Sequence, residues 1–306
     1  MLATLVDEPF SDPDWIYERK LDGERCLAYV GDNAPRLMSR NRKDITPTYP
    51  ELAEALSASL SSRCVLDGEV VAFEGRRTSF QRLQGRMQIK DPDRARKSGI
   101  PVYFYLFDVL HIEGSNIRKL PLRRRKEILR RSMSFRDPLR FTAHRNERGE
   151  DYYAEACASG WEGLIAKDAT AGYLETRSRN WLKFKCAGQQ EFVVGGFTDP
   201  EGSRTDFGAL LIGYHDRGHL VYTGKVGTGY DEETLDRLGS ELRDLETSDK
   251  PFDRGDPPDG AHWVRPELVV EVGFTEWTEG GRLRHPRYLG VRRDKPAGDV
   301  VREVPS

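Results

Sequence analysis

The sequence of 306 residues predicts an α+β domain with antiparallel sheets, followed by a small β-barrel domain of the OB-fold type. Three observations favour this fold class. Strand-like runs in the first part are joined by connections too varied for a regular βαβ alternation. Short strands with Gly-rich turns dominate the second part. The sequence pattern changes from the first kind to the second after Lys185, so we place the domains at 1–187 and 188–306.

The sequence predicts four strands and two helices in the first domain. Runs rich in β-branched and aromatic residues predict strands over 15–21, 26–30, 64–73 and 102–110. Apolar residues at helical spacing predict helices over 50–60 and 122–133. These elements indicate a mainly antiparallel sheet.

The second domain reads as strands with one helix. Strands are predicted over 191–197, 208–215, 219–227 and 267–277. The run Asp216-Arg217-Gly218 predicts a tight hairpin turn between the second and third of them. A helix is predicted over 231–246 because four leucines share one of its faces: Leu235, Leu238, Leu242 and Leu245.

Composition indicates a cytoplasmic protein that does not enter membranes. No apolar run approaches the roughly 18 residues of a membrane span, and the N-terminus lacks the pattern of a secretory signal. The four cysteines form no Cys-x-x-Cys pair, which argues against a structural zinc site. Cys64 and Cys157 lie in apolar sequence, and we expect both to be buried thiols in a reducing cytosol.

The net charge of −2 is unevenly distributed. Residues 1–187 hold 33 Lys and Arg against 27 Asp and Glu, a net of +6, and residues 188–306 hold 15 against 23, a net of −8. A split of this kind suggests a polyanionic partner for the first domain. Solvated faces that differ by chance are the alternative.

The stretch ERKLDGER at residues 18–25 places several acidic and basic side chains close together around one glycine. Lys20 stands two residues before Asp22-Gly23, between strand-like runs. An Asp-Gly β-turn with Lys20 as a solvated strand-end residue is the simplest alternative. Further polar motifs follow in order: SRN at 39–41, LDGEV at 66–70, YLFDVL at 105–110, EGLIAK at 162–167, WLKFK at 181–185 and RHPRYLGVRRDK at 284–295.

This ordered set resembles the signature of covalent nucleotidyltransferases, which include ATP-dependent DNA ligases, RNA ligases and mRNA capping enzymes. It is most similar to bacterial ATP-dependent DNA ligases of the ligase D type, which act in non-homologous end joining. The resemblance covers nearly the whole chain and implies an ATP-grasp-like nucleotidyltransferase domain followed by an OB-fold domain. It implies sealing of 5′-phosphate/3′-hydroxyl nicks through a lysyl-AMP and an adenylylated DNA end, with release of AMP and pyrophosphate.

The resemblance assigns the covalent chemistry to Lys20, which would attack the α-phosphorus of ATP and release pyrophosphate. That attack needs a neutral amine, which neighbouring cations or partial burial favour. Asp22 would support the lysine through a metal-bound water. Lys183 and Lys185 would contact the nucleotide phosphates, and their spacing along a strand puts both on one side.

The same resemblance implies the nucleotide pocket. Glu18 matches the position that contacts the adenine amine, and Leu21 belongs to the same cofactor-binding set. Phe107 matches an aromatic residue that stacks on adenine, although an aromatic in a strand is most often a core residue. Arg25 and Arg40 match residues that bind ribose and phosphate, and a guanidinium fork suits the phosphate at a nick.

Two acids stand in otherwise apolar runs, where an unpaired carboxylate is costly. By resemblance, Glu69 binds the ribose or a metal, and Glu162 helps to hold a divalent ion. Mg²⁺ or Mn²⁺ is the expected ion, because Mg²⁺ suits oxygen ligands together with substrate phosphates. Ordinary strand-end acids are the alternative for both.

Arg292, Asp294 and Lys295 resemble the final motif of the family, which the OB domain brings over the pyrophosphate of ATP during lysine adenylation. A basic, disordered C-terminal tail is the alternative. The Arg-x-Asp-Lys form favours DNA ligases over capping enzymes, which use GTP. ATP is favoured over NAD because NAD-dependent ligases carry an additional N-terminal domain and a four-cysteine zinc module.

The expected partner is nicked double-stranded DNA, bound by a monomer that acts at the nucleoid with end-joining or repair proteins. The basic run 118–131 is a candidate DNA surface, and an exposed helix face explains it equally well. A nucleic-acid-binding protein that has lost its catalysis is a further alternative, which the intact signature disfavours.

Overall fold

The computed structural model describes residues 1–60, 62–186, 188–200 and 206–304. It divides into two compact units. The first ends at Cys186, one residue before the predicted boundary, and the second extends to Val304. Each unit has a hydrophobic core of its own.

The first unit combines twelve strands with five helices among its described residues. Its strands are β1 (Leu2–Leu5), β2 (Trp15–Arg19), β3 (Glu24–Val30), β4 (Arg36–Ser39), β5 (Cys64–Glu74), β6 (Arg77–Thr78), β7 (Val102–Ile112), β8 (Ser115–Asn116), β9 (Leu139–Phe141), β10 (His144–Asn146), β11 (Gly163–Asp168) and β12 (Arg177–Lys185). Its helices are α1 (Pro50–Ser59), α2 (Phe80–Met87), α3 (Pro92–Arg96), α4 (Leu122–Ser132) and α5 (Gly149–Ala158).

These strands form two sheets. The first sheet has the order β1-β12-β11-β2-β10, and the second has the order β4-β3-β5-β7-β8, with β6 on β5 and β9 on β7. Most pairs are antiparallel as predicted, but β1–β12 and β7–β9 are parallel. The main core lies on one face of the second sheet, where α1, α2 and α4 contribute apolar side chains. A smaller core covers the first sheet under α5.

The Asp-Gly dipeptide after Lys20 does not form a hairpin, so that alternative is wrong. β2 belongs to the first sheet and β3 to the second, and Asp22-Gly23 is the crossing between them. A Cβ on Gly23 would overlap the carbonyl oxygen of Val70 and the side chain of Val71. Glycine is therefore required here by the close approach of β5, and not by a turn conformation.

β7 contains a bulge at the centre of the second sheet. Gly68 pairs with Leu106 and the adjacent Asp67 pairs with Asp108, which leaves Phe107 as the extra residue on β7. Bulges redirect the side chain that they carry and are frequent beside functional sites.

The second unit is one seven-stranded sheet with a two-stranded ribbon and a helix. Its elements are β13 (Gly188–Phe197), β14 (Leu210–Asp216), β15 (His219–Val226), α6 (Glu232–Asp244), β16 (Glu246–Thr247), β17 (His262–Val264), β18 (Val269–Phe274), β19 (Glu276–Trp277), β20 (Leu283–Arg284) and β21 (Arg287–Val291). Arg217 and Gly218 both have positive φ and form the predicted hairpin turn. Leu235, Leu238 and Leu242 of α6 enter the core, as their spacing predicts.

The prediction of a buried thiol is confirmed for Cys64 and wrong for Cys157. Cys157, near the end of α5, forms a disulfide with Cys186, which follows β12. Sequence spacing could not reveal this pair, because the two residues are 29 positions apart and meet only when α5 packs on the first sheet. None of the helices in the described part of the chain combines the length and apolar composition that a membrane crossing needs.

Candidate active site

Lys20 lies at the end of β2 and is held at its backbone. Its N–H donates to the carbonyl oxygen of Gly163 (2.9 Å), and its ammonium group forms an ion pair with Glu162. The side chain of Lys20 is 20% exposed and that of Glu162 only 6%. Within the described part of the chain, the second oxygen of Glu162, Oε2, is buried without a hydrogen-bond partner.

The strand register gathers the predicted phosphate-binding lysines around Lys20. On β11, Ile165 is the partner of both Glu18 on β2 and Lys183 on β12, and Gly163 is the partner of Lys185. Side chains alternate along a strand, so Glu18, Lys183 and Lys185 share the sheet face that Lys20 continues.

Gly163 lies at the centre of this arrangement and has a φ of +149°. A Cβ there would overlap the carbonyl oxygen of Phe184. The glycine of the EGLIAK motif is thus required for β11 and β12 to pair where the lysines meet.

Glu18 is fully buried beside two lysines. Lys126 Nζ lies 2.5 Å from Glu18 Oε1, and Lys167 Nζ lies 2.5 Å from Glu18 Oε2. Burial alone would raise the pKa of Glu18, but the two ammonium groups outweigh burial and hold it below its ordinary value. Burial lowers the pKa of Lys167 to about 8, although Glu18 opposes the shift.

These two lysines were not among the predicted site residues. Lys167 closes the EGLIAK motif, and its position in a strand was the only available signal. Lys126 lies inside the basic run of α4, where nothing in the sequence distinguishes it from its neighbours.

Arg25 forms a bidentate ion pair with Asp67. Its Nε and Nη2 donate to the two carboxylate oxygens at 2.6 and 2.7 Å, and Tyr173 also donates to Asp67 (2.8 Å). Burial alone would raise the pKa of Asp67, but Arg25 and Tyr173 outweigh burial and hold it below its ordinary value. The guanidinium fork that the sequence predicts to bind phosphate is therefore already bound to Asp67 through Nε and Nη2.

Phe107 is 7% exposed and packs with Met1 and Trp181. Lys167 Nζ lies 4.0 Å from the centre of its ring, and the guanidinium carbon of Arg25 lies 4.7 Å from it. This environment agrees with the alternative of a core residue. Its stacking on adenine stays a prediction.

Three further residues predicted to bind the nucleotide are Glu69, Arg40 and Leu21. Glu69 on β5 is half-buried and opposite Arg25 in the register, so both share a sheet face with Asp67. Arg40 follows β4 and is exposed, and Leu21 follows Lys20 and is half-buried.

Asp22 binds the start of α2. Its carboxylate accepts from the backbone N–H of Phe80 (3.1 Å), and its own N–H donates to Thr78 Oγ1 (3.2 Å). A carboxylate at a helix N-terminus is favoured by the unsatisfied N–H groups and the helix dipole. Asp22 therefore anchors the loop after Lys20, and its predicted action through a metal-bound water stays a prediction.

A divalent cation would find few protein ligands here. No cluster of three or more His, Cys, Asp or Glu side chains suited to a metal occurs among the described residues. The buried, unpartnered Oε2 of Glu162 nevertheless fits a cation that takes its other ligands from substrate phosphates.

The final motif is ordered in the second unit, so the disordered-tail alternative is wrong. Arg292 is 14% exposed at its side chain and pairs with Asp294 through Nε (3.0 Å) and Nη2 (2.9 Å). Its Nη1 donates to Glu271 (3.2 Å). Lys295 pairs with Glu191 (3.1 Å).

The basic run of α4 is a mixture of core and surface cations. Arg125 and Lys126 are buried, and Arg125 pairs with the buried Asp108. Arg124 and Arg131 both pair with Glu127 on the surface. Part of the charge of the run is therefore internal or paired, and its contact with DNA stays a prediction.

Comparisons with known proteins place this geometry in a family. The ATP dependent DNA ligase domain matches residues 1–185, and the ATP dependent DNA ligase C terminal region matches residues 203–295. The multifunctional non-homologous end joining protein LigD of Pseudomonas aeruginosa is 37% identical over 314 residues, which cover 100% of this chain and 36% of that protein.

A second relative and a solved structure agree with these matches. The multifunctional non-homologous end joining DNA repair protein LigD of Mycobacterium tuberculosis H37Rv is 35% identical over 94% of this chain and 37% of that protein. A structure of mycobacterial DNA ligase D complexed with ATP and MES is 33% identical, with a TM-score of 0.69, over 99% of this chain and 98% of that one. The chain thus spans little more than a third of these curated relatives.

The ion pair between Arg25 and the buried Asp67 yields a prediction about stability. Asp67→Asn should lower the free energy of unfolding by about 2 kcal/mol or more, because it removes the countercharge and two charge-assisted hydrogen bonds of Arg25, whose side chain is only 23% exposed. The loss should shrink as the pH falls below about 4, because the lowered pKa of Asp67 stabilises the fold only while its carboxylate is ionised. Urea denaturation across a pH series measures both.

Asp137 provides the matched control. It makes the same bidentate contact with Arg140, at 2.6 and 2.9 Å, but its side chain is 61% exposed. Asp137→Asn should therefore change stability by less than about 1 kcal/mol. Equal losses in the two variants would contradict the argument from burial.

Proposed function

Because the chain belongs to the ATP-dependent DNA ligase family, we propose that it joins the 5′-phosphate and 3′-hydroxyl ends of nicks in double-stranded DNA through an AMP adduct on Lys20. The observation that carries the proposal is the placement of Lys20 in Lys-x-Asp-Gly-x-Arg, paired with Glu162 and on one face with Lys183 and Lys185. We further propose a role in DNA repair or end joining, because its relatives are named for end joining.

In the first step, the amine of Lys20 attacks the α-phosphorus of ATP. The ammonium group first loses one proton to become a neutral amine. As the nitrogen–phosphorus bond forms, the bond to pyrophosphate breaks and the nitrogen loses a second proton, so the phosphoramidate keeps one N–H. The ion pair with Glu162 favours the ammonium form, so the nucleophile becomes available when Glu162 turns to another cation. Lys183 and Lys185 supply fixed positive charge on the same sheet face, where charge develops on the phosphate oxygens.

A divalent cation, Mg²⁺ or Mn²⁺, would neutralise charge on the reacting phosphates. Glu162 would hold it through its buried Oε2, and Glu69 is the second candidate ligand. Among its described residues, the protein thus offers only these two partly buried carboxylates as candidate ligands. A small number of protein ligands suits an ion that takes its other ligands from substrate phosphates.

Glu18 favours adenine as the base. A buried carboxylate accepts hydrogen bonds only, so it suits the 6-amino group of adenine and repels the 6-oxygen of guanine. Lys126 and Lys167 occupy one oxygen each and leave further lone pairs for the amine. ATP is therefore the proposed donor, and the capping reaction with GTP is disfavoured.

In the later steps, the AMP moves from Lys20 to the 5′-phosphate of the nick, and the 3′-hydroxyl then displaces it. Arg40 is the proposed contact for that 5′-phosphate, because its guanidinium is exposed, whereas Nε and Nη2 of Arg25 are bound to Asp67. Arg292, Asp294 and Lys295 are proposed to act in lysine adenylation only.

Labelled ATP with a divalent metal should leave AMP on Lys20 as an acid-labile phosphoramidate. Lys20→Ala should abolish the label, whereas Lys119→Ala, which removes an exposed lysine, should not. Peptide mass spectrometry locates the adduct. An adduct on another lysine would refute the proposal, and labelling by GTP but not ATP would establish the capping reaction instead.

The metal requirement of the same labelling tests Glu162. Glu162→Gln should raise the Mg²⁺ concentration for half-maximal labelling by about tenfold or more, because a charged ligand becomes neutral. Glu155→Gln is the control, since Glu155 is exposed and pairs with Arg145 on the surface. An unchanged Mg²⁺ requirement in Glu162→Gln would remove Glu162 from the metal site.

DNA binding should depend on phosphate contacts. Affinity for a nick should fall steeply with salt, with a log–log slope of about −0.9 per phosphate contact. Removal of the 5′-phosphate should weaken binding by the wild type but not by Arg40→Ala. Arg36→Ala serves as the control, because Arg36 is an exposed arginine of the adjoining β4. A flat salt response would contradict the electrostatic argument, and a wild-type phosphate preference in Arg40→Ala would exclude Arg40.

A further inference from the structure

Lys126 is a buried lysine that the reaction described above leaves without a role. It belongs to α4, outside every motif that resembles the ligase signature, and its side chain is only 2% exposed. Burying an ammonium group is costly unless it is paired and hydrogen-bonded. Its position therefore calls for a specific explanation.

The three N–H groups of Lys126 meet three oxygens: one from β2, one from β7 and one from the loop between β9 and β10. Its Nζ lies 2.5 Å from Glu18 Oε1, 3.1 Å from the carbonyl oxygen of Thr142 and 3.5 Å from the carbonyl oxygen of Phe107. An ammonium group has three donors, so these contacts use its full capacity. Lys126 thus ties together the two residues, Glu18 and Phe107, that are proposed to contact adenine.

The cluster has one carboxylate and two ammonium groups. Burial, with Lys126 beside it, lowers the pKa of His144 to about 4, so this nearby imidazole is neutral at pH 7. Lys126 and Lys167 are therefore the countercharges that hold Glu18 ionised. Two more buried polar atoms of this region, Thr142 Oγ1 and His144 Nδ1, have no hydrogen-bond partner among the described residues.

We propose that Lys126 is a positioning residue for base recognition: it fixes the Glu18 carboxylate so that its remaining lone pairs meet the 6-amino group of adenine. This inference rests on the proposed function, in which Glu18 accepts from that amino group. Lys126 need not touch the nucleotide. It acts by denying Glu18 the other rotamers and by keeping it charged.

A fixed acceptor gives selectivity that a mobile acceptor does not. A purine without the 6-amino group would leave Glu18 short of a donor, and an unsatisfied buried acceptor is penalised. Without Lys126, Glu18 turns towards Lys167 alone, and the penalty for the missing amine falls. Loss of Lys126 should therefore reduce selectivity for ATP more than it reduces the reaction as such.

The neighbouring Arg125 provides the matched control. It immediately precedes Lys126 in α4 and is fully buried. It makes a bidentate ion pair with Asp108 at 2.8 and 2.9 Å. Arg125 thus repeats the burial and pairing of Lys126 without contacting Glu18. A general loss of core packing should appear in both variants, and a loss of base selectivity only in one.

The experiment compares lysine adenylation with ATP and with purine riboside triphosphate, which lacks the 6-amino group. Formation of the AMP adduct, or of its analogue, is followed by intact-protein mass spectrometry, and kcat/KM is obtained for each nucleotide. Wild type should prefer ATP. Lys126→Met and Lys126→Gln should each lower the ratio of the two kcat/KM values at least tenfold, because neither side chain can serve all three oxygens. Arg125→Met should keep the wild-type ratio.

The outcomes separate this inference from the proposed function. No adduct in the wild type would refute the ligase proposal itself. An adduct with no preference for ATP over the analogue would leave the ligase proposal standing and overturn the inference, since Glu18 would not recognise the amine. A wild-type ratio in either folded Lys126 variant, or an equal loss of ratio in Arg125→Met, would also overturn it.

Discussion

The hydrogen bond from the backbone N–H of Lys20 to the carbonyl oxygen of Gly163 is the constraint on which the site depends. It extends the pairing of β2 with β11 by one residue and so brings Lys20 beside Glu162. Through β11 it also fixes the position of β12, which carries the two phosphate-binding lysines. A slip of one residue would turn these side chains to the opposite face. The site is thus a consequence of strand register, which Gly163 permits.

Around this backbone frame, the first unit buries an unusual amount of charge. Glu18 with its two lysines and Arg125 with Asp108 lie in the interior, and Asp67 is buried beside a partly exposed Arg25. Buried ion pairs are weak contributors to net stability, but they tolerate few alternative arrangements. Two of these clusters adjoin Phe107, which a bulge in β7 sets apart from the regular ladder. The charges therefore define one geometry around the proposed base site.

The sequence predicts the site best where local pattern decides the outcome. Lys183 and Lys185 were expected on one side of a strand from their spacing alone, and the register agrees. The Asp-Gly turn was ambiguous because a dipeptide cannot show that its two flanking strands enter different sheets. Asp67 and Lys126 could not be identified, since their importance arises from partners 42 and 108 residues away in the chain. Long-range pairing is a property of the fold, and local patterns do not encode it.

The disulfide joins Cys157 and Cys186, which are 29 positions apart, and the segment between them contains Glu162, Lys167, Lys183 and Lys185. A covalent loop of this length reduces the conformational freedom of the unfolded chain, which corresponds to roughly 3–4 kcal/mol in the chain-entropy treatment. The segments that bear Glu162 and these lysines therefore remain near each other even before β11 and β12 pair. In a thiol-rich environment the same strands must find their register unaided, so assembly of this part of the protein becomes sensitive to the redox balance around it.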